Sequence, residues 1–504
     1  MSPEWKHSER HLTENQWFWF VAVIGLLTRL PLLGLSGSEN TDAILSLTYF
    51  SKDFVQTPRF VILPGYPVLL QLGAWLGLGG IFWGRIISCL AGLLILIPLW
   101  RYARRWMGVE MSAMVCLMAL FSPLLWQWSL KVMPDTTFLL LFWWSLERLT
   151  AAYLDRNPRA WMEACLMAVA AACVRPEGLL LLPWILVLES RVTQGRSWVR
   201  KAVFLVSWAL PLFLVREKIF LLFSAYREGA GLTTTSVPEG FPFFNFVYHF
   251  YAYLTQPFYV FTPFVYIFAI LGLAKMMGRE DDLGQSFRRI HVQIFAILFI
   301  SRLVPVTYQD RHLMPFLPIL VVAAGYQLET FLNGLKYPQN SMPYHFIKNG
   351  LLAVTLLYSA VFSSAAIGGQ MDSFGDIKRS AEFLKTLPPT AVIYSDEIPK
   401  TQYWAGRTVT LLDYSQKPFM PHPGEYVILH SFYTPRINAV GDNMTARFGA
   451  VLIHVDNSVV EPVMTDLMQD PHLQNRILAT NYRFDPQFFT SAVYEIKSKA
   501  KETK

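Results

Sequence analysis

Residues 17–54 read WFWFVAVIGLLTRLPLLGL (Trp17–Leu35) and then SGSENTDAILSLTYFSKDF (Ser36–Phe54). The first half is long and apolar enough to cross a bilayer, which takes roughly 20 such residues. The second half is acidic and then amphipathic. From Asp42 onward the apolar residues recur at helical spacing, as in a helix lying along a membrane interface. Further on, Leu63-Pro64-Gly65-Tyr66-Pro67 breaks the chain before a second apolar stretch that ends in Gly77–Gly80. A first loop over 36–80 that folds back on the membrane is more than a connector.

Composition extends this reading to the whole chain. Of 504 residues, 53% are hydrophobic and 16% charged, and the mean hydropathy is +0.33. Soluble proteins carry about a quarter charged residues. Sixteen Trp, 22 Tyr and 37 Phe suit membrane interfaces. A disordered chain, a nucleic-acid binder and an ordinary cytosolic enzyme are poor fits. The basic balance does not signal nucleic acid: residues 1–369 hold 29 Lys/Arg against 21 Asp/Glu, and 370–504 hold 14 against 15. The excess lies where it sets membrane orientation.

Apolar runs predict eleven spans, near 17–35, 81–100, 111–130, 136–153, 160–174, 178–190, 202–222, 252–274, 290–305, 313–332 and 346–368. The fifth and sixth are separated only by Arg175-Pro176-Glu177-Gly178, so a hairpin or one broken helix fits. With the N-terminus inside, the inner segments hold 17 Lys/Arg and the outer ones six, the positive-inside pattern. The polar start Met1–Gln16 and the lack of a small-residue cleavage site predict a retained first helix. Cys89, Cys116, Cys165 and Cys173 lie in apolar runs and read as small buried residues.

The chain divides into a helical membrane part, 1–369, and a soluble α/β part, 370–504, on the extracytoplasmic side. In the latter Ile377–Leu387 reads as an amphipathic helix. Ala391–Ser395, Thr408–Leu412, Tyr426–His430, Ala450–Val455 and Ser491–Ile496 read as short strands.

This topology puts Glu39, Asp42, Asp135, Glu177 and Asp310 on one outer face, with Lys52, Arg59, Lys131, Arg175 and Arg311. Each alone reads equally well as a solvated loop charge. Together they suit one chemistry: a carboxylate deprotonates an acceptor, while Arg and Lys hold a departing phosphate. Carboxylates also suit a divalent cation, the one cofactor this set would admit. Arg85, inside an apolar run, is expected to snorkel to the outer surface. No glycine-rich phosphate loop between strand and helix is present, which argues against a nucleotide donor.

In their order and topology these residues resemble the polyprenyl-phosphate-sugar-dependent glycosyltransferases of the GT-C fold, above all protein O-mannosyltransferases and lipid A aminoarabinose transferases. The resemblance rests on Glu39 and Asp42, Pro64–Pro67, Gly84-Arg85, Pro134-Asp135, Arg175–Gly178 and Asp310-Arg311-His312 with Pro315 and Pro318. It implies a bacterial inner-membrane enzyme with a cytoplasmic N-terminus and a periplasmic soluble domain. It further implies inverting transfer from a polyprenyl-phosphate-linked sugar to a lipid, glycan or protein acceptor, with a first-loop carboxylate at the reaction centre. That role falls on Asp42 or Glu39. Many relatives have two adjacent acids there, whereas two residues separate them here. Asp42 is favoured because it opens a helix, where a negative charge is held and stabilised. Asp135 is the second acidic site, as metal ligand or orienter, with a helix N-cap as its plain alternative. Arg59, Lys131 and Arg311 are the phosphate candidates, with interface anchoring or pairing to nearby carboxylates as the plain alternative; His249 and Asp135 are the candidates for a metal, and His249, like His312, is more often a packed interfacial histidine. The competing classes are a lipid or solute transporter, against which stands the absence of a visible repeat, and an O-antigen ligase or polymerase, whose decisive loop comes late in the chain.

Overall fold

The structure is a computed structural model. It describes residues 13–34, 39, 41–51, 62–192, 250–251, 253–255, 263–303, 310–335, 341–368, 375–412, 422–430, 450–457 and 490–497. Helix covers part or all of every expected span except 202–222, which lies outside the described residues.

The first helix, α1 (Glu14–Arg29), is opened by a capping box from Thr13 and Gln16, and a 3-10 turn at Leu30–Leu32, carrying Pro31, follows it. The first loop contributes α2 (Thr41–Thr48) and α3 (Gly65–Trp75). Next come α4 (Gly80–Leu94), α5 (Leu96–Ala103), α6 (Val109–Leu120) and α7 (Pro123–Ser129). α8 (Pro134–Asp155), α9 (Pro158–Val174) and α10 (Leu182–Val192) complete the continuous block. After the gap stand α11 (Pro263–Gly278), α12 (Gln293–Leu303), α13 (Leu317–Asn333) and α14 (Met342–Gly368). By length and composition Gly80–Ala103 and Arg311–Asn333 can each cross a bilayer. The pair α6 and α7, bent by 59° at Phe121-Ser122, makes a third such unit; Pro123 opens the second arm.

Helix α8 is the axis of the core. Its Phe142, Trp143, Leu146 and Leu149 are fully buried, and α4, α5 and α9 pack around it. The α9–α10 region is a hairpin rather than one broken helix. Arg175-Pro176 ends α9, a 3-10 turn Pro176–Leu181 reverses the chain, and Trp161 Nε1 donates back to the Ile185 carbonyl at 3.0 Å. Large apolar side chains face outward on α1 (Trp19, Leu27), α4 (Phe82, Leu90) and α14 (Val354, Leu357), as a hydrocarbon surround requires. Arg29, buried at the end of α1, is held by the Leu120 carbonyl (2.7 Å) and Ser129 Oγ (3.1 Å). No disulfide joins the four cysteines, three of which are buried.

Helices α11 and α13 meet backbone to backbone at Gly272. A Cβ there would lie 1.9 Å from the Ala323 carbonyl oxygen. Gly272→Ala should therefore force the helices apart and lower stability by about 1–3 kcal/mol; a thermal midpoint equal to wild type in detergent would contradict the close approach.

Within 375–497 the described residues hold a five-stranded sheet, ordered β2-β1-β3-β5-β4. Its strands are β1 (Ile393–Ser395), β2 (Thr410–Leu411), β3 (Tyr426–His430), β4 (Ala450–Asn457) and β5 (Thr490–Ile496). β1 runs parallel to β2 and β3, and β5 runs antiparallel to β3 and β4. α15 (Gly375–Phe383) is the expected amphipathic helix, while α16 (Ile398–Ala405) has no counterpart among the expected elements. Helix α16 packs against α2, which brings the sheet-bearing segment onto the first loop.

Candidate functional site

The site is built where the first loop, the start of α8, the α9–α10 turn and the turn before α13 converge. Proline places three of its parts. Pro134 at the first position of α8 seats Asp135 in the opening turn, with Met133 as N-cap and no side-chain cap. Pro176 ends α9 and leaves Arg175 in extended conformation. The 3-10 turn Asp310–Phe316, which contains Pro315, presents Arg311.

These side chains form one continuous chain of charges. Arg311 Nη1 donates to Asp42 Oδ2 at 2.8 Å and lies 3.9 Å from Asp135 Oδ2. Arg175 bonds Asp135 Oδ1 through one nitrogen and Glu177 Oε1 through another, the latter at 2.9 Å. Asp135 is thus an ion-pair partner of Arg175, not a helix cap. Asp135 is buried, and its Oδ2 has no hydrogen-bond partner among the described residues. An unsatisfied buried carboxylate oxygen costs about 1–3 kcal/mol, and the Arg311 charge 3.9 Å away offsets part of that cost.

Trp128 is the platform for the cations. The Lys131 ammonium lies 5.6 Å from its ring centroid and the Arg311 guanidinium carbon 5.8 Å, within cation–π range. Arg175 sits likewise over Phe138, at 5.8 Å. Two of the three phosphate candidates, Lys131 and Arg311, therefore stand on one aromatic side chain. The third, Arg59, and the metal candidate His249 lie outside the described residues. His312, the other histidine of the outer side, has its Nδ1 3.1 Å from the Tyr253 hydroxyl.

Glu39 occupies a different environment from Asp42. It is 1% exposed, its Oε1 accepts from Arg85 Nε at 2.7 Å and its Oε2 from the Val132 amide at 3.1 Å. Burial pushes the Glu39 carboxyl above its ordinary range, against the pull of Arg85, Lys131 and the Val132 amide. Arg85 does not snorkel, contrary to expectation: it is buried and also donates to the Leu33 carbonyl at 3.1 Å. A carboxylate within reach outweighs the path to water. Neither Trp128 as a platform nor Arg85 as a partner emerges from the sequence reading. The second was findable, because an arginine in an apolar run needs a counter-charge.

Whether these residues fit a divalent cation follows from their donor set. Among the described residues no group of three His, Cys, Asp or Glu stands close enough to hold a metal. Asp42 and Asp135 each already face an arginine. The described residues alone do not fit a metal, and the chemistry below is carried by side chains.

Residues 58–217 match the dolichyl-phosphate-mannose-protein mannosyltransferase family. A search of curated protein sequences returns no match. Among solved structures the chain is similar to ArnT from Cupriavidus metallidurans, at 14% identity and a TM-score of 0.57, covering 87% of this chain and 96% of that one. The same protein bound to undecaprenyl phosphate superposes at 15% identity and 0.54, covering 95% and 98%. The Archaeoglobus fulgidus oligosaccharyltransferase matches at 11% identity and 0.52, over 94% of this chain and 72% of that one. The chain therefore has the GT-C fold of these membrane glycosyltransferases.

Proposed function

We propose that this chain is a multi-pass glycosyltransferase that moves a sugar from a polyprenyl-phosphate donor to an acceptor at the extracytoplasmic face, with inversion. The acceptor is a lipid, glycan or protein, the N-terminus is cytoplasmic, the soluble part over 370–504 is periplasmic, and the membrane is the bacterial inner membrane. The observation that carries the reading is the pairing of Asp42 with Arg311 beside a buried Asp135 oxygen and two cations on Trp128. The undecaprenyl phosphate bound to the similar ArnT supports the class of donor.

These positions support the following chemistry. Asp42 takes the proton of the acceptor hydroxyl or amine as that atom bonds to the anomeric carbon. The bond between that carbon and the phosphate oxygen breaks, and the oxygen leaves with the electron pair. Lys131 and Arg311, with Arg59, hold the phosphate as its charge grows. Asp135 orients the acceptor through its available oxygen and holds Arg175. Glu39 suits the base role less well, since both of its oxygens are already engaged.

The test is release of lipid phosphate from a panel of radiolabelled polyprenyl-phosphate sugars by the purified protein in lipid. Release by wild type names the donor. No release from any donor by a folded preparation would overturn the reading in favour of a transporter or a ligase. Asp135→Asn is expected to lower kcat by about 100-fold, the low end of a lost proton-handling or orienting group. Wild-type turnover would reduce Asp135 to a tether for Arg175.

A further inference from the structure

The tail presents one cation to this site that the mechanism above does not use. Lys400 is fully buried, an unusual state for an ammonium, and it lies on α16, the helix packed against α2. The same helix carries Tyr403, whose hydroxyl lies 3.9 Å from where a Cβ on Gly80 would stand, so α16 also meets the start of α4. Glu397, Asp376 and, from the membrane part, Asp42 attract the Lys400 charge, while Lys131 opposes it. Burial outweighs these attractions and lowers the ammonium to about 8. Asp42 therefore feels two cations of different origin: Arg311, whose Nη1 is at 2.8 Å, and Lys400, carried by the helix that packs against α2.

Helix α16 is held for such a task. Glu397 caps it, accepting from the Lys400 amide at 2.7 Å and the Thr401 amide at 3.4 Å. Thr401 joins a buried polar chain in which its hydroxyl meets His430 Nε2 (3.1 Å), His430 Nδ1 meets Ser491 Oγ (2.7 Å) and Ser491 donates to Asp376 Oδ2 (2.6 Å). Burial and Lys400 lower His430 to about 3, so its ring is neutral. A fully connected buried network of this kind is rigid, and it ties α16 to α15, β3 and β5.

We propose that Lys400 is a positioning residue for the transfer site, supplied by the tail: its ammonium balances Asp42 against Arg311 and keeps α2 docked with its carboxylate toward the acceptor. The catalytic part of this proposal rests on the transferase reading; the docking part does not.

The test uses full-length protein in lipid nanodiscs, with kinetics on the donor named by the panel and hydrogen exchange over α2 and α16. Lys400→Met is expected to lower kcat on the order of tenfold with KM within about twofold, and to raise exchange over 43–48 by a similar factor. Lys400→Arg should recover most of both. Lys378→Met, which removes a tail cation seated 4.8 Å over Trp404, should change neither. Should Lys400→Met fail to fold, Asp42→Asn probes the contact from the other side and should raise exchange over 399–404 while β3 and β5 stay protected. Unchanged exchange over 43–48 in folded Lys400→Met, or over 399–404 in Asp42→Asn, overturns the proposal. A wild type that releases sugar from no donor sinks the transferase reading alone, and the exchange arms still decide Lys400.

Discussion

Asp42→Asn is expected to remove sugar transfer, by about 1000-fold or more in kcat, while the protein remains folded in the membrane. The substitution is nearly isosteric, and an amide oxygen still accepts from Arg311. What it removes is the basic oxygen, whose contribution as a general base is about 100- to 10,000-fold. A second loss adds to the first: Arg311 loses the Asp42 counter-charge at 2.8 Å, while Asp135 stands farther off at 3.9 Å. KM for the donor should change little, because the phosphate-holding cations are intact. Transfer rates compared in lipid, with size-exclusion profiles as the folding control, decide it. Turnover within tenfold of wild type would take Asp42 out of the base role and place suspicion on Glu39.

The same residues show how far a sequence carries this argument. The helices of the described spans, the α9–α10 hairpin as one of two alternatives, and all five strands were legible, because apolar runs and period-two strands write their burial into composition. The clustering of Asp42, Asp135, Glu177 and Arg311 was legible as a shared outer face, but the pairing was not. Nothing in spacing says that Arg311 takes Asp42 while Arg175 takes Asp135 and Glu177; the three-dimensional crossing of α8 with two turns decides it. Arg85 departs from expectation for a physical reason. Snorkelling assumes that water is the nearest relief for a buried charge, and here Glu39 is nearer. Helix α16 escapes notice although its signals are local: Glu397 as cap, Pro399 in the first turn and Gly406 in the left-handed conformation that ends it (φ 62°). Its eight residues carry too little periodicity to stand out between two strands. With α16 unseen, Lys400 and the link between tail and site stay hidden.

Glu39→Ala should be the most destabilising single change in the first loop, at about 3–5 kcal/mol. Glu39 and Arg85 are both buried and in contact at 2.7 Å, so removal of the carboxylate leaves a guanidinium in a low-dielectric setting without the charge that neutralises it. It also strands the Val132 amide, which donates to Glu39 Oε2 and positions Lys131 one residue before it. Glu39→Gln keeps acceptor and shape and should lose less. Removing both charges as Glu39→Leu with Arg85→Met should return much of the stability, since the uncompensated charge harms the single variant more than the lost attraction does. Thermal unfolding in detergent of wild type, Glu39→Leu, Arg85→Met and the double variant measures the cycle. Additive losses would mean that the two side chains do not act as a pair. Activity then separates anchor from base: Glu39→Gln that folds should retain transfer within about tenfold, where Asp42→Asn does not. A folded but inactive Glu39→Gln would reverse the two assignments, because only a residue that handles the proton is silenced by so small a change.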